Sequence, residues 1–237
     1  MMNDKKNFLS CEKRIVFELL MLAAGMMGAY TFNLRGGVFC NAQTANFVMM
    51  AAKLGQRDWS GGLYFLIPVS AYFMGSVISE ILPKPIKKKT FFRWDTWLIA
   101  FETAVIIGVG FIPLSVTDQV VQVIINFICS MQYNTFRQAE SIPMATTFCT
   151  NHLRQIGIWT VKTVKHRNRE SFERLRSHVM MIAVFFLGGL TETVACELVS
   201  EKAIWLAVVP LGINLMILIY ADLVKEKELM EKVPSGH

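Results

Sequence analysis

Two polar runs interrupt an otherwise apolar chain, and their side chains are of the kinds that hold a solute. The first spans residues 33–46 and carries Arg35, the Gly36-Gly37 pair, Asn41, Gln43, Thr44 and Asn46. The second spans residues 132–152 and carries Gln132, Asn134, Arg137, Pro143, Thr146 and Thr150. Amides and hydroxyls orient a bound molecule, and a guanidinium favours a carboxylate or another small anion. Glycine pairs and proline interrupt helix geometry and free backbone groups, which need partners from protein, water or solute inside a bilayer. Half-helix N-termini aimed at such a centre would also favour an anion. The competing reading is that these groups satisfy one another and pack two broken helices, with Arg35 reaching to headgroups.

Three carboxylates fall within apolar stretches: Glu102, Glu192 and Glu197. An acid at membrane depth is a candidate for proton relay or cation contact. Glu192 follows Gly188-Gly189 and is the preferred coupling residue. Glu197 is expected at an interface, and Glu102 is placed between the interfacial and functional readings. Nothing resembles a soluble enzyme: there is no P-loop, no HExxH and no GxSxG. His152, His166, His178 and His237 lack metal-ligand spacing, as do the five cysteines. No catalysis, metal or cofactor is expected; an intramembrane enzyme using Glu192 would lack a nucleophile.

The elements that must position these residues are membrane helices. The 237 residues are 53% hydrophobic with mean hydropathy +0.41, and several stretches approach the roughly 20 apolar residues that span a bilayer. Six are clear: 15–34, 63–82, 97–116, 120–136, 179–199 and 204–223. Two are weaker, 38–54 and 142–159. If both weak segments cross there are eight spans; if both re-enter there are six. With six spans and the N-terminus inside, only Arg35, Lys53, Arg57 and Lys202 of the 24 lysines and arginines fall outside. That positive-inside bias selects six spans plus two re-entrant or broken helical segments, over seven or eight full spans. Residues 1–14 and 224–237 are then cytoplasmic, and 15–223 form the membrane domain. The charged stretch Lys162–Arg176 reads as an amphipathic cytoplasmic helix or loop. The net charge of +6 marks inner loops, so the expected partners are lipid and a small solute, with a homodimer compatible and nucleic acid excluded.

The halves also repeat. Arg35, Thr44 and Gly55 align with Arg137, Thr146 and Gly157 without a gap. Gly75 and Gly188 each follow an aromatic pair, and Trp97-Leu98 matches Trp205-Leu206. Three crossings per half (about 15–116 and 118–223) predict an inverted 3+3 repeat, with the polar segments meeting at mid-membrane.

A further set of motifs comprises Ala24-Gly25, residues 36–39, residues 41–46, Phe73-Met74-Gly75, Met131-Gln132, residues 143–147 and residues 186–189. In these the chain resembles the YoaK-like family of bacterial inner-membrane proteins, a domain-of-unknown-function family. Two positions depart: Gly28-Ala29 lacks the aspartate common in the family, and Thr44-Ala45-Asn46 stands for Thr-Gly-Asn. The resemblance implies a bacterial plasma-membrane protein and names no substrate. The expected function is a small-solute transporter or permease, the solute a small anion or carboxylate; the alternative is a non-transporting accessory or sensor protein.

Overall fold

In the computed structural model, residues 8–83, 91–230 and 232–234 are described. The expected cytoplasmic residues Lys5, Lys6, Lys84, Lys87, Lys88 and Lys89 lie outside that set, as does His237. The protein is all-α apart from one two-stranded hairpin. Nine α-helices are described: α1 (Arg14–Leu34), α2 (Gln43–Gly55), α3 (Trp59–Tyr64), α4 (Leu66–Ile81), α5 (Trp94–Val109), α6 (Asp118–Thr135), α7 (Thr150–His166), α8 (Arg169–Val199) and α9 (Val208–Tyr220). Three stretches are long and apolar enough to cross a membrane: Arg14–Leu34, Trp59–Ile81 and Arg169–Lys225.

Local chemistry sets the boundaries. α1 is rich in Leu, Met and Ala, and it stops where Gly36 and Gly37 turn left-handed at φ +73° and +70°. Only glycine enters that region without steric cost, so the pair ends the helix. The Asp58 carboxylate caps α3 by accepting from the Gly61 N–H at 2.9 Å. Arg167 turns left-handed at φ 47°, and Asn168 then caps α8 through the Ser171 N–H at 2.8 Å. The expected Lys162–Arg176 element is therefore the end of α7, a tight turn and the start of α8. The apolar stretch 97–116 stops being helical after Val109, and 204–223 opens with a 3-10 helix, Ser200–Ala207.

Two parallel helix pairs organise the bundle. Along α1 and α8, Arg14 meets Glu173 at 3.2 Å and Asn33 donates to the Thr193 hydroxyl at 3.1 Å. Between these contacts Gly25 lies against the Phe185 carbonyl, and Gly188 against the Leu22 carbonyl. Along α4 and α6, Gly75 lies against Phe127 and Ser130, and Asn134 donates to the Ser79 hydroxyl at 3.0 Å. Small residues let both backbones approach closely. The pairs run oppositely. The Phe17 ring near the start of α1 meets Phe136 just beyond α6 at 5.9 Å, and Glu140 N–H donates to the Glu12 carbonyl at 2.9 Å. α5 and α9 are antiparallel, tied by Trp205 to the Ile107 carbonyl at 3.0 Å and by the Arg93 N–H to Asp222 at 3.0 Å.

The bundle thus has a Glu140 end and an Arg35 end, separated by the 21 residues of α1 or about 32 Å at 1.5 Å per residue. At the Glu140 end the flanking segments pack into the bundle instead of standing apart from it. Leu9 and Cys11 are buried. The buried Arg93 guanidinium pairs with Glu226 at 2.6 Å and Asp222 at 3.5 Å, while Ser10 donates to Glu226 at 2.7 Å.

Candidate functional site

One face of α6 carries Gln122, Asn126, Cys129 and Gln132, spaced by three or four residues so that they stack along one side. All four are buried. Both polar segments come to this face. The first leaves α1 at the Arg35 end, descends until Cys40 Sγ lies 3.8 Å from Cys129 Sγ, and turns where Gln43 donates to Asn126 at 2.8 Å. It returns as α2, whose Leu54 packs on Gly62 of α3, while Tyr64 lies beside Gly36 at the Arg35 end. α2 has 13 residues, about 20 Å of rise, too short for a hydrocarbon core of about 30 Å.

The second segment leaves α6 at the Glu140 end and forms the hairpin of β1 (Gln138–Ala139) and β2 (Ile142–Pro143). Sequence reading expected broken helix there, but Pro143 lies in a strand and Glu140 and Ser141 form a turn with positive φ. The chain then rises until Gln132 donates to the Thr146 carbonyl at 3.0 Å, and α7 leads back toward the start of α8. Cys129 and Gln132 are three residues apart, so the segments meet within one helical turn, about 4.5 Å of rise. Tyr72 of α4 adds a phenol whose electrostatic neighbours are Cys129, Tyr133, Thr147 and Cys40.

The expected site residues divide into three groups. Asn41, Gln43, Asn46, Gln132 and Thr146 are at or beside the meeting of the segments. Asn46 is fully buried and clamps the turn, accepting from the Phe39 N–H at 3.3 Å and donating to the Phe39 carbonyl at 2.8 Å. Asn41 donates to the Ala24 carbonyl at 3.0 Å. Thr44 and Thr150 are exposed and contribute nothing to the centre.

The arginines do not converge. Arg35 is fully buried at its own end, held by the Ile112 and Pro113 carbonyls at 2.5 and 3.2 Å and by the Tyr30 hydroxyl at 3.2 Å. Arg137 is exposed at the other end, paired with Glu80 at 2.7 Å. With Asn134, it lines a pocket of about 300 Å³ that also includes Tyr133, Pro143, Ala145 and Asn151. The shared anion site expected from the two guanidiniums is not formed, because the segments bearing them enter from opposite ends.

The carboxylates are also re-sorted. Glu197 is exposed. Glu192 is fully buried but lies toward the Arg35 end, where its charge is felt at Tyr30. Glu102 is fully buried, eight residues beyond the start of α5. Trp94 donates to Thr135 at 2.9 Å, and from that contact the antiparallel course of α5 and α6 brings Glu102 level with about residue 127. Its charge is correspondingly felt at Cys129. The carboxyl oxygens of Glu102 and Glu192 are buried without a hydrogen-bond partner.

A larger cavity of about 550 Å³ opens between α1 and α8. Gly25, Gly28 and Gly189 make room for it, and it touches both segments through Asn41 and Cys149. The amide stripe at Gln122 and Asn126 escaped the sequence reading although its spacing is helical. So did the His152–His178 pair, whose Nδ1 atoms lie 2.9 Å apart across 26 residues of sequence. Among the described residues, no group of three His, Cys, Asp or Glu side chains could hold a metal.

The family described as Protein of unknown function (DUF1275) matches residues 16–217, nearly the whole bundle from α1 into α9. The chain belongs to that family. YoaK-like proteins fall within it, so the resemblance read from residues 36–46 and 143–147 was to the right group. No curated protein and no solved structure matches the chain.

Proposed function

We propose that the protein is a small-solute transporter or permease of a bacterial inner membrane, with both termini cytoplasmic. One observation carries this reading: two non-helical segments from opposite ends meet on one polar face of a buried helix. Irregular backbone at membrane depth is tolerated where it is enclosed by protein or lines a path for solute. In this reading six helices cross, and the 35–55 and 136–166 segments re-enter from opposite sides. The pocket at Arg137 is the inner vestibule.

An inverted 3+3 repeat is part of the proposal. Its support is the reciprocity of the packing: α1 lies along α8 as α6 lies along α4, and α5 lies against α9. Gly188 meets the backbone of α1 as Gly75 meets that of α6. Exchanging the halves by the offsets of the sequence repeat maps each helix pair onto its counterpart, with Leu22 falling on Ile124, one turn from Phe127.

The test is flux in liposomes containing the purified full chain, scored over a panel of small organic and inorganic solutes. Asn46→Ala and Gln132→Ala should each lower the rate at least tenfold, and Arg137→Ala should lower it less. Unchanged rates in the first two variants would remove the site. A second reading, an accessory or sensor protein, is favoured by α7, which exposes Leu153, Val161 and Val164. A stoichiometric partner crosslinked at α7, with no flux of any solute, would select it.

A further inference from the structure

From the hydrogen bonds at the meeting point, we infer that the central site takes a small monovalent cation, with Glu102 as its counter-charge, and not an anion. The inference rests on the permease reading for its place in a cycle, but on hydrogen bonding for its chemistry. Every amide nitrogen of this set already donates to the protein. Gln43 donates to Asn126 and the Cys40 carbonyl, Asn126 to the Gln122 carbonyl, Gln122 to the Arg35 carbonyl, and Gln132 to the Thr146 carbonyl. Backbone carbonyls only accept, so these bonds fix which end of each amide is nitrogen.

What remains unmatched is oxygen: Gln122 Oε1, Gln132 Oε1, Thr146 Oγ1 and both carboxyl oxygens of Glu102. Glu102 is fully buried on the inward stripe of α5, between Ile99 and Ile106. On α6, Gln122 and Gln132 lie about five residues to either side of its level, roughly 7.5 Å of rise each. At these separations the oxygens cannot share one coordination shell, so Glu102 is the direct ligand and the other oxygens lie to either side of it, an arrangement that repels an anion and favours a cation. Oxygen ligands suit a hard alkali ion or an ammonium group. One carboxylate balances a single positive charge, and a divalent ion would leave net charge buried.

The experiment uses the full chain in detergent, with sodium, potassium or ammonium chloride compared against N-methyl-D-glucamine chloride at equal ionic strength. At ten times its dissociation constant, the preferred cation should raise Tm by about 3–6 °C. Glu102→Gln should abolish the rise while retaining the wild-type elution volume, and Glu197→Gln, at an exposed position, should retain the rise. If Glu102→Gln does not fold, Glu102→Asp replaces it and should shift the midpoint to higher cation concentration. The inference is overturned if none of the three cations raises the wild-type Tm, if the rise survives Glu102→Gln at an unchanged midpoint, or if the rise follows the anion in a chloride, acetate and phosphate series with N-methyl-D-glucamine. Cation-dependent Tm without flux of any solute would remove the permease reading and leave this one. Flux insensitive to Glu102→Gln, with no cation effect on Tm, would do the reverse.

Discussion

Gly188 and Gly189 are adjacent on α8, yet a methyl group added to each should act in opposite directions. At Gly188 the new Cβ would run into the Leu22 carbonyl, with Met26 N at 3.3 Å, and both are backbone atoms of α1. Backbone cannot rotate away, so the helices must separate. Overpacking of this kind costs about 1–3 kcal/mol, against which alanine gains about 0.5–1 kcal/mol in a helix interior. Taken at the middle of both ranges, Gly188→Ala loses about 1 kcal/mol net. At Gly189 the nearest atom is the Gly25 carbonyl oxygen at 3.7 Å, an ordinary contact, so only the helix gain remains. At about 2–4 °C per kcal/mol for a chain of this size, Gly188→Ala should lower Tm by about 2–4 °C and Gly189→Ala should raise it by about 1–4 °C. Thermal melts of the two variants in one detergent, followed by tryptophan emission, give the comparison. A Gly188→Ala protein that melts at or above wild type, or a Gly189→Ala protein that falls as far, would refute close backbone packing of α1 on α8.

Other perturbations have equally definite outcomes. Arg93→Ala leaves Asp222 and Glu226 buried without their guanidinium; a loss of about 3–5 kcal/mol is expected in denaturant titration. Asn46→Ala orphans the Phe39 N–H and C=O and should cost about 1–3 kcal/mol besides its effect on flux.

Much of the architecture was legible because hydrophobic runs of span length leave a chain few alternatives. The expected spans 15–34 and 120–136 nearly coincide with α1 and α6. The Gly36-Gly37 pair marked the end of α1, since two left-handed residues in succession cannot continue a helix. Amide clusters at 41–46 and 132–146 pointed to segments that leave the helical framework, and the structure brings them together. What failed was inference from residue type to direction. Two arginines in the two polar segments suggested one anion site, but those segments leave their helices at opposite ends of the bundle. Hydrophobicity also could not tell the hairpin at 138–143 from a broken helix, because Glu140 and Ser141 turn with positive φ, which their residue types do not require.

Of the polar centre, the sequence by itself determined the contents: amides, hydroxyls and a few acids set within apolar helices. Tertiary structure decided which of their atoms are used. Residue type states that glutamine has two donor hydrogens and an acceptor oxygen. Only the position of the Thr146 carbonyl engages the amide nitrogen of Gln132 and leaves its oxygen unmatched. The level of Glu102 against Cys129 likewise follows from the antiparallel contact of Trp94 with Thr135, 41 residues apart in sequence. Local patterns cannot encode such contacts, because they depend on how helices align after the chain has folded.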